Sequence, residues 1–218
     1  MTSLILDIET GSLPALALAK LMPEFTAAKN LKDPVKVAEA IEAKRAAFVD
    51  DAALDALTGR IVAVGILAVD GDTETPAIIH GDGDEAALLR ETWHTLTAWH
   101  DSPPSGVMVT YNGHSFDLPY MVRRSWLLGV PVPLWVRRGR YWCDSFVDMR
   151  EVWQCGDRTA STGGLDGLGK AFGLPGKNGS GKHFAALWDS DRAAAETYLL
   201  NDLKLTAAIA RKMGVLPL

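Results

Sequence analysis

Three groups of acidic and polar residues lie far apart in the sequence and together could bind metal ions: Asp7 and Glu9, Asn112 and Asp117, Tyr198 and Asp202. Each group alone has an ordinary explanation, namely an exposed strand edge for the first, a helix cap at Asp117 and a solvated helix position at Asp202. Four carboxylates converge only if positive charge offsets their repulsion. Two hard cations such as Mg²⁺ or Mn²⁺ would do so, and paired metals with oxygen ligands support displacement at phosphorus.

Apolar patterning predicts the elements that would position these residues. The run from Ser3 to Glu9 predicts a strand with Asp7 and Glu9 on one face, because side chains alternate along a strand. Tyr198 stands one helical turn before Asp202, so its hydroxyl would face the same space as that carboxylate. The other predicted elements are antiparallel strands over 60–69 and 75–80 joined through 70–72, a helix over 85–100, a strand over 107–111, a helix from an Asp117 cap to Gly129, a strand near 140–144, a helix near 147–153, a loop-like stretch over 163–181 and a helix over 191–213.

This order of elements predicts an α/β domain in which an antiparallel hairpin lies beside parallel strands. Residues 11–59 carry helix-start signals at Pro14, Asp33-Pro34 and Asp50-Asp51, so a helical insertion is expected after the first strand. No linker divides the chain, and one domain over residues 1–218 is therefore expected.

Composition excludes several classes of protein. The chain has 218 residues, 48% of them hydrophobic and 22% charged, which is typical of a folded globular protein. The longest apolar run, Ile61 to Val69, is about half of what a membrane span needs, and Asp7 and Glu9 stand where a signal peptide would be apolar. Two widely spaced cysteines predict neither a zinc site nor a disulfide framework, so a cytoplasmic location is expected.

The net charge of −5 is unevenly distributed. The first 110 residues carry 17 acidic and 8 basic residues, whereas residues 111–218 carry 10 and 14. Because bound cations would also neutralise some carboxylates, an acidic total does not exclude a phosphodiester substrate.

The acidic groups resemble, in order and spacing, the DEDD superfamily of 3′–5′ exonucleases in its tyrosine-bearing DEDDy branch. The matching motifs are DxE at Asp7-Ile8-Glu9, an asparagine ahead of an FD pair at Asn112 and Phe116-Asp117, and YxxxD from Tyr198 to Asp202. The histidine branch would need His where Thr197 stands. Between the motifs, residues 59–65, 118–119 and 173–177 are similar to predicted exonucleases related to the proofreading domain of family B DNA polymerases.

The resemblance implies a ribonuclease H-like mixed sheet flanked by helices. It implies a metal-dependent enzyme that releases nucleoside monophosphates from the 3′ end of a single strand, with DNA favoured over RNA. It also implies residue roles: one metal on Asp7, Glu9 and Asp202, a second on Asp7 and Asp117, water orientation by Tyr198, and contacts to the terminal nucleotide from Thr10 and Asn112. The cofactors would be two divalent cations, Mg²⁺ or Mn²⁺, and no membrane partner is expected.

Other motifs leave alternatives open. Gly176 to Lys182 fits the phosphate-binding pattern GxxxxGK, but His183 stands where a P-loop has Ser or Thr. A nucleotidase is therefore the weaker alternative. The other interpretation is a loop whose Lys177 and Lys182 contact a phosphate backbone. Arginines over 136–140 beside aromatic residues suit either a single-strand surface or an ordinary core. Asp144 and Asp148 could support the fold or the site. A catalytically silent nucleic-acid-binding module is a further alternative.

Overall fold

A five-stranded mixed sheet forms the centre of the protein in a computed structural model that describes residues 1–103, 105–136, 145–157, 159–161, 163–177, 179 and 181–217, without the side chain of Lys182. The strands are β1 (Thr2–Ser12), β2 (Gly59–Asp70), β3 (Thr73–Ile79), β4 (Ser105–Thr110) and β5 (Phe146–Asp148). Their spatial order is β3-β2-β1-β4-β5. β1 pairs antiparallel with β2 and parallel with β4, β2 pairs antiparallel with β3, and β4 pairs parallel with β5, which confirms the predicted mixed sheet.

Helices cover both faces of this sheet. They are α1 (Ala15–Leu21), α2 (Pro34–Asp51), α3 (Glu85–His100), α4 (Asp117–Leu127), α5 (Met149–Gln154), α6 (Gly164–Ala171), α7 (Phe184–Ser190) and α8 (Arg192–Lys212), with 3₁₀ turns at Ala52–Leu54 and Gly181–His183. α3 and α4 pack on one face, and α5, α6 and α8 on the other. Among the described helices, none combines the length and hydropathy of a membrane span.

β1 is apolar on both faces because helices cover both. Three even-numbered side chains, each at most 5% exposed, pack toward α3 and α4: Leu4, Leu6 and Ile8. Ile5 packs on the opposite face with α8. Since successive side chains alternate, Asp7 and Glu9 share the face of Ile5 and point toward α8, the helix of the third acidic group.

A glycine lets α8 lie close to this strand. Gly65 of β2 is the register partner of Asp7. A Cβ at position 65 would lie 2.8 Å from the Leu203 side chain and 2.9 Å from that of Leu199, both on α8. A larger residue would therefore push the helix away from the sheet. The close approach brings Asp202 to the carboxylates of β1.

The helices over 85–100 and 191–213 are confirmed within one residue of their bounds, but three local predictions differ from the structure. α4 begins at Asp117 itself with Phe116 at its N-cap position, so Asp117 is not the cap. The predicted helix near 147–153 begins only at Met149, because 146–148 form β5, and the predicted strand near 140–144 lies outside the described residues. The glycine-rich stretch over 163–181 contains α6, since packing of Leu168 against α8 overrides the low helix propensity of glycine.

The helical insertion begins two residues later than predicted. Gly11 and Ser12 continue β1 and pair with β2, so the segment between the strands spans residues 13–58 rather than 11–59. α2 begins after Asp33 as predicted, since the Asp33 carboxylate accepts hydrogen bonds from two backbone N–H groups of the first turn and Pro34 suits that turn. α2 has no buried residue and lies outside the two-faced core.

Candidate active site

The three acidic groups meet in one cleft of about 610 Å³ beside the middle of β1 and beyond the end of β4. Five predicted catalytic residues line it: Asp7, Glu9, Asp117, Tyr198 and Asp202. Asn112 and Lys177, both predicted to bind substrate, line the same cleft. Thr10 follows Glu9 at a register shift of β1 and is not among the described residues that line the cleft, and the side chain of Lys182 lies outside what the structure describes.

Three of the carboxylates form a compact ligand set. Asp7, Glu9 and Asp202 each place one oxygen within 4.8 Å of the others. Glu9 and Asp202 are only 6% and 2% exposed. Within the described part of the chain, the buried Oδ1 of Asp202 accepts no hydrogen bond. Hard divalent cations prefer carboxylate oxygens as ligands, and this cluster includes a buried oxygen without a hydrogen bond. These residues therefore fit such an ion.

Burial and mutual repulsion raise the pKa values of these carboxyl groups. Burial raises the pKa of Asp7 well above its usual value, with further contributions from the charges of Asp117 and Glu9. The pKa of Glu9 rises to about 8, again through burial first and then through Asp202. The pKa of Asp117 rises to about 7 by burial, although the hydrogen bond from Ile8 lowers it. A divalent cation would stabilise the ionised forms of these carboxyl groups, which burial and mutual repulsion disfavour.

Asp117 connects α4 to β1. Its Oδ1 accepts a hydrogen bond of 2.9 Å from the backbone N–H of Ile8, and its side chain is buried. Because Ile8 lies between the two acidic residues of β1, this bond holds Asp117 beside them. Asp117 therefore lies in the cleft, as the family resemblance implies, rather than at the helix cap that its local pattern predicts.

Lys177 brings a positive charge into the acidic cluster. Its Nζ lies 2.5 Å from Oδ2 of Asp202 and 5.2 Å from the ring centroid of Tyr198. The backbone N–H of Lys177 donates to Asp166 Oδ1 at 2.8 Å, which fixes the loop that carries the lysine. Burial alone would lower the pKa of Lys177, but its contacts with Asp202 and Tyr198 raise that pKa above its usual value. The ammonium is therefore charged and offsets part of the carboxylate repulsion.

The loop after β4 presents Asn112 to the cleft in an unusual backbone conformation, with φ 66°. Asp148 at the end of β5 holds this loop, since its buried carboxylate accepts hydrogen bonds from the backbone N–H groups of Asn112 at 2.8 Å and His114 at 3.0 Å. Nη1 of Arg150 donates to the Asn112 Oδ1 at 2.6 Å. Of the two aspartates left open by the sequence, Asp148 supports the site loop and Asp144 lies outside the described residues.

Arg150 and Asp166 are the site residues that the sequence analysis does not single out. Asp166 lies in the stretch predicted as loop, and Arg150 in a helix predicted two residues too early. No local sequence signal identifies Arg150: it reaches the cleft because β5, the strand before it, pairs parallel with β4, and parallel strands end at the same edge of a sheet.

The alternative motifs do not assemble a second catalytic site in the described residues. The GxxxxGK segment follows helix α6, whereas a P-loop follows a strand. Trp135 donates a hydrogen bond from its indole to Thr97 and stacks on His100 at a centroid distance of 4.5 Å, so it packs on α3 as a core residue would. The neighbouring residues 137–144 lie outside the described part of the chain.

Comparison with known families agrees with this geometry. The model of a family described as predicted 3′–5′ exonuclease related to the exonuclease domain of PolB matches residues 54–203. This match spans most of the chain, and the chain therefore belongs to that family. No curated protein matches it significantly in sequence.

A solved structure similar to this chain is that of the family B DNA polymerase from the hyperthermophilic archaeon Pyrobaculum calidifontis. The two share 18% sequence identity with a TM-score of 0.63, and the match covers 98% of this chain and 24% of the polymerase chain. The chain thus spans about a quarter of the length of that polymerase. The likeness confirms the predicted ribonuclease H-like α/β fold.

Proposed function

We propose that this protein is a metal-dependent 3′–5′ exonuclease that releases nucleoside monophosphates from the 3′ end of single-stranded nucleic acid, with DNA favoured over RNA. The observation that carries the proposal is the convergence of the five motif residues in one cleft of a chain that belongs to a family of predicted exonucleases. The cytoplasmic location is part of the same proposal.

The carboxylates would hold two Mg²⁺ or Mn²⁺ ions. Asp7, Glu9 and Asp202 form the set whose oxygens lie closest together, and Asp7 with Asp117 would hold the second ion. When bound, such ions supply a nucleophile from water at neutral pH and stabilise the leaving oxygen. Asp7 would belong to both ligand sets, which agrees with the contributions of Asp117 and Glu9 to its raised pKa.

Tyr198 would orient the attacking water as a hydrogen-bond donor. Its hydroxyl is buried and has no hydrogen bond of good geometry in the described part of the chain. Burial raises the pKa of Tyr198, although the nearby Lys177 opposes that shift. The phenol therefore keeps its proton at neutral pH, and it cannot act as a general base.

Four other polar residues would bind the substrate. Lys177 would contact the scissile phosphate, and Thr10, Asn112 and Lys182 would contact the rest of the terminal nucleotide or the strand.

Replacing Tyr198 by phenylalanine should lower kcat about 10- to 100-fold with little change in KM, because it removes one orienting hydrogen bond from the transition state. The loss should be the same across the neutral and mildly alkaline pH range, since the phenol stays protonated there. Steady-state rates at several pH values check this. A tyrosine that acted as a base would instead give a loss that grows with pH.

The proposed function is tested with 5′-labelled single strands of DNA and RNA of matched sequence, incubated with Mg²⁺, Mn²⁺ or chelator and resolved on a denaturing gel. A ladder that shortens from the 3′ end and requires metal is the expected result. Asp117→Asn should abolish the ladder, and it is preferable to alanine because asparagine retains an oxygen to accept the N–H of Ile8. Asp72→Asn in the exposed β2–β3 turn is the matched control.

Each other outcome of this assay contradicts a stated part of the proposal. Intact strands that nevertheless bind the protein indicate the silent binding module. Phosphate release from ATP without strand shortening indicates the nucleotidase. Faster shortening of RNA than of DNA reverses the proposed preference between the two polymers.

A further inference from the structure

Arg150 is a positive side chain that lines the cleft and forms no ion pair with the carboxylate cluster in the described residues. It lies at the start of α5, lines the cleft together with Asn112, and is exposed. Its backbone N–H donates to Asp148 Oδ1 at 2.9 Å, so the base of the side chain is fixed by the same buried carboxylate that holds the Asn112 loop.

Most N–H donors of the Arg150 guanidinium form no hydrogen bond within the described part of the chain. Within the described part of the chain it forms no ion pair, and its one hydrogen bond is the 2.6 Å contact from Nη1 to the Asn112 Oδ1. By contrast, the buried Arg124 is paired with Glu85 through two nitrogens. A planar guanidinium carries five N–H donors that match the oxygens of a phosphate. Arg150 is therefore equipped to bind an anion in a cleft that also contains the carboxylate cluster and Lys177.

The contact with Arg150 also fixes the side-chain amide of Asn112. A guanidinium only donates, so the atom that it meets must be the Asn112 carbonyl oxygen. The amide nitrogen of Asn112 then remains as a donor on a residue that lines the cleft. Arg150 and Asn112 can therefore both donate N–H groups to oxygen acceptors of a substrate.

We propose that Arg150 is a substrate-binding residue that contacts the phosphate next to the scissile one on its 5′ side. This rests on the proposed exonuclease function. The scissile phosphate belongs at the metal ligands and Lys177, with which Arg150 makes no contact in the described residues. A 3′ end with a free hydroxyl carries no phosphate beyond the scissile one, so every further phosphate lies on the 5′ side.

Arg150→Met should raise KM for a single strand about tenfold with kcat changed less than about twofold, as expected for loss of one charge-assisted contact. The slope of log affinity against log salt should become shallower by about 0.7, the value for one phosphate contact of a single strand. Arg123→Met is the matched control, because Arg123 is an exposed arginine of α4 without an ion pair in the described residues and outside the cleft lining. Melting temperatures of both variants check their folding.

A single neutral methylphosphonate locates the contact. Placed at the phosphate next to the scissile one, it should raise KM of the wild-type protein about as much as Arg150→Met does, and should cause no further loss in that variant. Equal KM values for Arg150→Met and Arg123→Met overturn the proposal. So does a methylphosphonate loss that is as large in Arg150→Met as in the wild type.

Binding separates failure of this inference from failure of the proposed function. Fluorescence anisotropy measures the affinity of variants that also carry Asp117→Asn for the same labelled strand, and this measurement needs no turnover. Weaker binding and a shallower salt slope on adding Arg150→Met, but not Arg123→Met, support the contact even if no strand is degraded. Identical binding of the two double variants contradicts it, whether or not the wild-type protein is an exonuclease.

Discussion

Glu9→Gln is expected to make the metal-free protein more stable while lowering exonuclease activity about a thousandfold or more. The gain in stability follows from the raised pKa of Glu9, about 8 against an ordinary 4.5, which burial and the charge of Asp202 cause. The folded state disfavours the ionised carboxylate relative to the unfolded state. The free energy of unfolding of the metal-free wild-type protein should therefore decrease as the pH rises from about 4.5 to about 8. Glutamine never ionises, so the variant escapes this loss, but it removes a metal ligand.

Thermal melts in chelator check this expectation at two pH values. Glu9→Gln and the wild-type protein should melt at similar temperatures near pH 4.5, and the variant should melt higher, on the order of 10 °C, above pH 8. Added Mg²⁺ or Mn²⁺ should stabilise the wild-type protein most at the higher pH and the variant much less. Glu39→Gln on the exposed α2 is the control for the charge change. A variant that melts lower than the wild-type protein in chelator above pH 8 contradicts the reasoning.

Local periodicity was sufficient to predict the parts of the site that lie on one element. Asp7 and Glu9 share a face because a strand has a period of two residues, and Tyr198 and Asp202 share a face because they stand one helical turn apart. The burial of both faces of β1 and the approach of α8 at Gly65 then bring these faces together. The mixed sheet was predictable for the same reason, since its long strands have strong apolar patterns.

Parts of the site that depend on contacts between distant segments were not predictable. β5 is three residues long and its pairing with β4 is a long-range parallel contact, so its sequence predicts the start of a helix and gives no role to Arg150. The resemblance implies a metal-binding role for Asp117, but its local pattern predicts a helix cap, because its hydrogen-bond partner, Ile8, lies 109 residues away. The ion pair of Lys177 with Asp202 likewise joins a loop to α8 and has no local sequence signal.

Lys177→Met is expected to have the opposite effect to Glu9→Gln on the metal-free protein. The Lys177 ammonium lies 2.5 Å from Asp202 Oδ2, so it competes with a divalent ion for that carboxylate. Removing it should strengthen binding of Mn²⁺ about tenfold, because one positive charge next to the ligands is lost. It should also lower the melting temperature in chelator, since Asp202 loses its counter-charge. Turnover should fall about 10- to 100-fold through loss of the contact to the scissile phosphate.

Calorimetric titration of Mn²⁺ into the metal-free protein measures the affinity without any need for activity. Lys36→Met is the matched control, because Lys36 is an exposed lysine of α2 without an ion pair in the described residues and outside the cleft lining. Unchanged Mn²⁺ affinity in Lys177→Met would mean that the ammonium and the ion do not share Asp202. Glu9 and Lys177 act on the same charge cluster. The variant that carries both substitutions should therefore have a metal-free melting temperature between those of the two single variants. The two changes in melting temperature should not be additive, because the residues interact.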